Sequence, residues 1–141
     1  MSDASERPLI LVTNDDGIEA NGIRHLAACM LPLGRVVVVA PDRAQSGMGH
    51  AVTINDVLTM EKRSFPLEGI EQAWQTSGTP VDCVKLAIYE ILGKKPDLLV
   101  SGVNHGSNAS INVIYSGTMS AAVEGAVEGI PSIGFSLLDH S

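Results

Sequence analysis

Residues 9–22, LILVTNDDGIEANG, open on an unbroken aliphatic run and stop at two adjacent carboxylates. Leu9, Ile10, Leu11 and Val12 have the pattern of a central parallel strand buried on both faces. Asn14, Asp15, Asp16 and Gly17 end that strand abruptly. Open α/β sheets bind their ligands outside the carboxyl ends of the strands. Two neighbouring carboxylates in such a crevice repel each other unless a cation lies between them. This stretch therefore predicts both an α/β fold and a place in it to look for chemistry.

The flanking sequence repeats the pattern. Residues 20–30 carry Ile23, Leu26, Ala27 and Met30 at helical spacing, with Gly34 after Pro32 as a stop. RVVVVA, residues 35–40, is a second buried strand that runs into the polar loop PDRAQSGMGH, residues 41–50. Residues 52–60 and 70–75 predict a partly antiparallel excursion with Phe65 and Pro66 in its turn. Thr79, Pro80 and Asp82 form a helix start: a capping hydroxyl, a proline at the first helical position and the acidic partner of a capping box. That helix is expected to reach Leu92 and to stop at Gly93. Residues 97–101 predict a strand opening into a loop over 102–108, followed by a helix over 117–128 and a last strand over 130–136. Strand alternating with helix predicts a mostly parallel sheet with helices on both faces.

Composition narrows the function classes. The 141 residues are 45% hydrophobic and 18% charged, which predicts one globular domain spanning 1–141. A net charge of -7 argues against a broad electrostatic grip on nucleic acid. The first residues are acidic and polar, unlike a secretory signal. No apolar run approaches the roughly 18 residues of a membrane span. Cys29 and Cys83 fall in predicted helices without CxxC spacing and are expected to be buried, reduced thiols. A soluble cytoplasmic protein that does not engage membranes is the expectation.

Three predicted strands end in polar loops, NDDG, PDRAQSG and SGVNHGSN, which a doubly wound sheet brings to one edge. Asp15, Asp16, the Ser46 hydroxyl and the Asn104 amide oxygen make an all-oxygen ligand set suited to one hard divalent cation, Mg²⁺ or Mn²⁺. Tyr115, Ser116, Gly117 and Thr118 stand just before a predicted helix, where free amides and the helix dipole favour an anion; a plain cap by Ser116 is the competing reading. Thr79 reads as a cap. Arg43 suits a phosphate contact or the surface, and His105 an acid-base or a structural role.

LVTNDDGIEANGI, VVAPDRAQSG, TSGTPVDCVKLA, PDLLVSGVNHGSN and VIYSGTMSAAVEG, in that order, resemble the SurE (survival protein E) family of metal-dependent nucleotidases over residues 9–136. The resemblance implies a Rossmann-like three-layer α/β/α core that hydrolyses nucleoside 5′- and 3′-monophosphates, and in some members short polyphosphate. It matches the family's metal ligands to Asp15, Asp16, Ser46 and Asn104, and its phosphate-contacting loop to Ser116, Gly117 and Thr118. Family members continue well past the equivalent of Ser136, with a later segment that contributes to dimers and tetramers. The expectation is a chain corresponding to the earlier part of such a protein.

The expected reaction is attack on phosphorus by metal-bound water, with Asp15 or Asp16 accepting its proton and Ser46, Asn104 and residues 116–118 around the phosphate. A phospho-aspartyl phosphatase needs aspartates two apart, whereas Asp15 and Asp16 are consecutive. A receiver-like signalling domain needs a lysine after the last strand, where Leu137, Leu138 and Asp139 stand instead. A metal-binding receiver-like domain and an inactive fragment of the nucleotidase are the alternatives.

Overall fold

The computed structural model describes residues 7–44, 57–107 and 111–139, with the backbone alone at 104–107, 111–117 and 137–139. Its six-stranded sheet is built around β1 (Leu9–Thr13), buried along its whole length. β1 pairs in parallel with β2 (Arg35–Pro41) on one side and β5 (Leu98–Ser107) on the other. Beyond β2 lies β4 (Gln72–Thr76), parallel to it, and then the short β3 (Met60–Arg63), antiparallel to β4. β6 (Ser132–Asp139) closes the other side, giving the order β3-β4-β2-β1-β5-β6. The chain leaves β1 toward β2 and later returns to β1's opposite side as β5. The β1–β5 crevice is thus the topological switch point at which open sheets bind ligands.

Strand alternation divides the core into two. Ile10, Val12, Val36, Val38, Ala40 and Val100 face α1 (Asn21–Met30), which answers with Ile23, Leu26, Ala27 and Met30. Leu9, Leu11, Val37, Val39 and Leu99 face the other way, toward Cys83, Val84, Ala87 and Ile88 of the second helix and Ala121 of the third. The mostly parallel sheet with helices on both faces is the expected α/β/α arrangement. Among the described residues no helix is long and apolar enough to cross a membrane.

Helix α2 (Pro80–Leu86) begins as its sequence predicts. Asp82 N donates to Thr79 Oγ1 at 3.2 Å, and Thr79 N donates to Asp82 Oδ2 at 2.9 Å. The helix then widens into a π-helical segment, Ala87–Leu92, and ends at Gly93 in the left-handed conformation.

Four expectations need correction. The strand expected over 52–60 is absent from its described part, where 57–59 are irregular and β3 begins only at Met60; residues 52–56 lie outside the described residues. The stretch after Ser101 is a strand rather than a loop: β5 shifts register between Ser101 and Asn104 and then pairs on with β6, Asn104 opposite Ser136 and Ser107 opposite Asp139. Its polar side chains suggest a loop, but a ladder is made by backbone groups that they do not remove. Helix α3 (Ile111–Val127) begins well before Gly117, so Ser116, Gly117 and Thr118 lie inside it. Cys29 is exposed, and Cys83 alone is buried.

Candidate functional site

The carboxylate loop is fixed by the residue before it. Asn14, 1% exposed, donates from Nδ2 to the Gly17 carbonyl at 2.8 Å and accepts from the Gly17 N–H at 3.1 Å. Both polar ends of one side chain thereby brace the turn that carries Asp15 and Asp16. Gly17 is required here: its φ is +106°, and a Cβ would lie 3.1 Å from the Arg43 carbonyl carbon. Asp15 is buried at 5% exposure, whereas Asp16 is partly exposed.

Backbone contacts bring the neighbouring loops to this turn. Ile18 N donates to the Pro41 carbonyl at 2.8 Å, joining the turn to the end of β2. Asp42 N in turn donates to the Thr76 carbonyl at 2.7 Å, joining β2 to the end of β4. Gly22, in the first turn of α1, packs so closely on the Val103 carbonyl that a side chain there would overlap it. The register shift of β5 is thereby held beside the loop that follows β1. The described parts of the three stretches thus lie at one edge of the sheet.

Placement of the individual candidates is uneven. Asp15 and Asp16 stand together at the switch point, and their oxygens suit a hard cation. Asn104 lies just past the β5 register shift. Ser46 lies outside the described residues. Ser116, Gly117 and Thr118 lie within α3 rather than just before it, so a cap by Ser116 at a helix start at Gly117 does not apply. Arg43 is exposed beside the turn and pairs with Asp42 at 3.4 Å. Thr79 is a cap, as its sequence context predicts.

The sequence reading missed two groups. Asn14 is the brace just described. The second is a set of hydroxyls in the core: Thr13, Ser101 and Thr118, each fully buried. Strand parity was the available signal, because Thr13 continues the Leu9–Leu11 face and Ser101 the Leu99 face. Nearby, Thr76 Oγ1 lies 3.2 Å from Cys83 Sγ and accepts from the Gly78 N–H at 3.1 Å. Burial pushes the Cys83 thiol up to about 12, against the opposing hydrogen bond to Thr76. Cys83 is an inert core group, not a nucleophile.

The family model described as Survival protein SurE matches residues 10–141. The chain belongs to the SurE family. It is 68% identical over 134 residues to the 5'-nucleotidase SurE of Flavobacterium psychrophilum, covering 95% of this chain and 52% of that one. Against the 5'-nucleotidase SurE of Bacteroides thetaiotaomicron the identity is 50% over 138 residues, covering 96% and 52%. The solved structure of the SurE protein from Aquifex aeolicus superposes with a TM-score of 0.78 at 47% identity, over 94% of this chain and 52% of that one. The chain spans about half the length of the curated SurE relatives it matches.

Proposed function

We propose that this SurE chain carries the hydrolytic site of a metal-dependent phosphomonoesterase acting on nucleoside 5′-monophosphates, and on 3′-monophosphates as well. The observation that carries this reading is the adjacent Asp15–Asp16 pair, braced by Asn14 at the switch point of a parallel sheet. Relatives at 50–68% identity bear the name 5'-nucleotidase.

In this reading Asp15, Asp16, Ser46 and Asn104 hold one divalent cation, Mg²⁺ or Mn²⁺. When bound, the cation neutralises charge on the phosphoryl oxygens and makes water more acidic. Asp15 or Asp16 accepts the proton of the attacking water on a carboxylate oxygen. The new P–O bond forms to that water while the P–O bond to the nucleoside breaks, and the leaving oxygen takes up the proton held by the carboxylate, so the nucleoside departs with its hydroxyl. Ser116, Gly117 and Thr118, on the first half of α3, flank the phosphate. Asn14 keeps the carboxylates in place and takes no proton.

A net charge of -7 supports small nucleotides rather than nucleic acid as the substrate. Action in the cytoplasm as a homodimer or tetramer, without a membrane, completes the reading. The test is phosphate release from a 5′-nucleoside monophosphate with Mg²⁺ or Mn²⁺, with chelator, and in Asp16→Asn. Metal-dependent release that falls by at least about 100-fold in the variant supports the reading, a loss of the size seen when transition-state charge stabilisation is removed. Release that survives chelator or the substitution contradicts it.

A further inference from the structure

Arg43 stands where the chain leaving β2 meets the carboxylate turn. Its backbone is packed there: a Cβ on Gly17 would lie 3.1 Å from the Arg43 carbonyl carbon and 3.3 Å from its Cα. Two backbone bonds secure the approach to it, Ile18 N to the Pro41 carbonyl at 2.8 Å and Asp42 N to the Thr76 carbonyl at 2.7 Å. The side chain behaves otherwise. It is 71% exposed, and its Nε meets Asp42 Oδ1 at 3.4 Å, a long contact between sequence neighbours. Surface pairs of that kind add little to stability. The backbone of Arg43 thus serves the fold, whereas its guanidinium is carried at the rim of the switch point from a fixed Cα.

Charge sets this position apart. In the sequence of the three site stretches, residues 13–17, 41–50 and 101–108, and of residues 111–118, Arg43 is the sole lysine or arginine. The same stretches hold Asp15, Asp16 and Asp42, in a chain whose net charge is -7. A phosphate monoester is close to dianionic at neutral pH. At this edge it meets three carboxylates, and one bound divalent cation offsets only part of that charge. A guanidinium suits the remainder, because its parallel N–H donors match two phosphoryl oxygens at once and it stays charged at any working pH. Lysine offers the charge without the fork. We propose, resting on the phosphomonoesterase reading above, that Arg43 is a substrate-contacting residue whose guanidinium exchanges Asp42 for the non-bridging oxygens of the bound phosphoryl group. Asp42 keeps the guanidinium beside the turn and competes with the phosphate for the same donors.

Binding and turnover, measured side by side, separate this contact from the wider reading. Inorganic phosphate is titrated calorimetrically into the chain with and without Mg²⁺, for wild type, Arg43→Ala, Arg43→Gln, Arg43→Lys and Asp42→Asn. Phosphate release from a 5′-nucleoside monophosphate is followed on the same samples. The contact predicts phosphate affinity lowered at least about 10-fold in Arg43→Ala and Arg43→Gln alike, the size of losing one charge-assisted pair, with partial recovery in Arg43→Lys. kcat/KM is expected to fall by the same factor or more. Asp42→Asn is expected to bind phosphate at least as tightly as wild type, and the urea midpoints of the Arg43 variants to match it. Unchanged phosphate affinity in the folded Arg43 variants overturns the proposal, as does wild type that binds no phosphate. An equal loss in Asp42→Asn overturns it too, by showing that the Asp42–Arg43 pair acts through the shape of the loop. Metal-dependent release that is the same in wild type and Arg43→Ala sinks the contact and leaves the nucleotidase reading standing. Arg43-dependent phosphate binding without metal-dependent release sinks that reading and leaves the contact standing.

Discussion

Asn14 carries more structural responsibility than its aspartate neighbours reveal. Its amide serves both polar groups of Gly17 from a buried position. Asn14→Ala strands a buried donor and acceptor and is expected to cost about 2 kcal/mol in urea unfolding, in the range for losing a buried polar partner. Cys83 offers a pH test. Its thiol lies at about 12 in the folded chain against an ordinary 9.0. Between those values the folded state keeps a proton that the unfolded chain releases, so this contribution is present below pH 9 and is lost as pH rises through the window. Stability of the wild type is expected to fall more steeply than that of Cys83→Ala as pH rises from about 8.5 to 10, read from urea midpoints. Over the same range a thiol reagent is expected to label exposed Cys29 in the native chain and Cys83 only after unfolding.

At the scale of elements, the α2 start shows where local chemistry suffices. Thr79 and Asp82 make both bonds of a capping box, with Pro80 at the first helical position. Thr79→Ala is expected to destabilise the chain by about 1 kcal/mol, and Thr79→Ser to recover most of that loss. This element was legible because every group it needs lies within four consecutive residues. β1, β2 and α1 were legible for a related reason: burial on both sides writes continuous apolar runs, and burial on one side writes helical spacing. The start of α3 and the length of β5 were not legible. Ser116, Gly117 and Thr118 resemble punctuation, yet α3 runs through them because its seat on β6 at Gly134 comes from a distant segment. The polar residues after Ser101 resemble a loop, yet their backbone finds a partner in β6, more than 30 residues later. The convergence of the first two loops was legible from topology alone, but the bonds that enforce it, such as Ile18 to Pro41, are backbone contacts that side-chain patterns do not encode.

For the whole molecule, the sheet order brings one idea to the front. β1 sits between β2 and β5, so its carboxyl end is where the two crossovers diverge, beside buried Asp15 and partly exposed Asp16. Two hydrophobic clusters, one on each face of the sheet, pack beneath that edge. Asp15 and Asp16 are proposed above to form a cation site on this chain. Its most direct test is a titration with Mn²⁺, following the free ion by its paramagnetic resonance signal, for wild type, Asp16→Asn and Asp15→Asn/Asp16→Asn. The account predicts saturable binding of one ion per wild-type chain, weakened at least about 10-fold in the single variant and absent in the double, with the far-ultraviolet spectrum unchanged. Equal binding by a folded double variant, or no saturable binding by folded wild type, would contradict it.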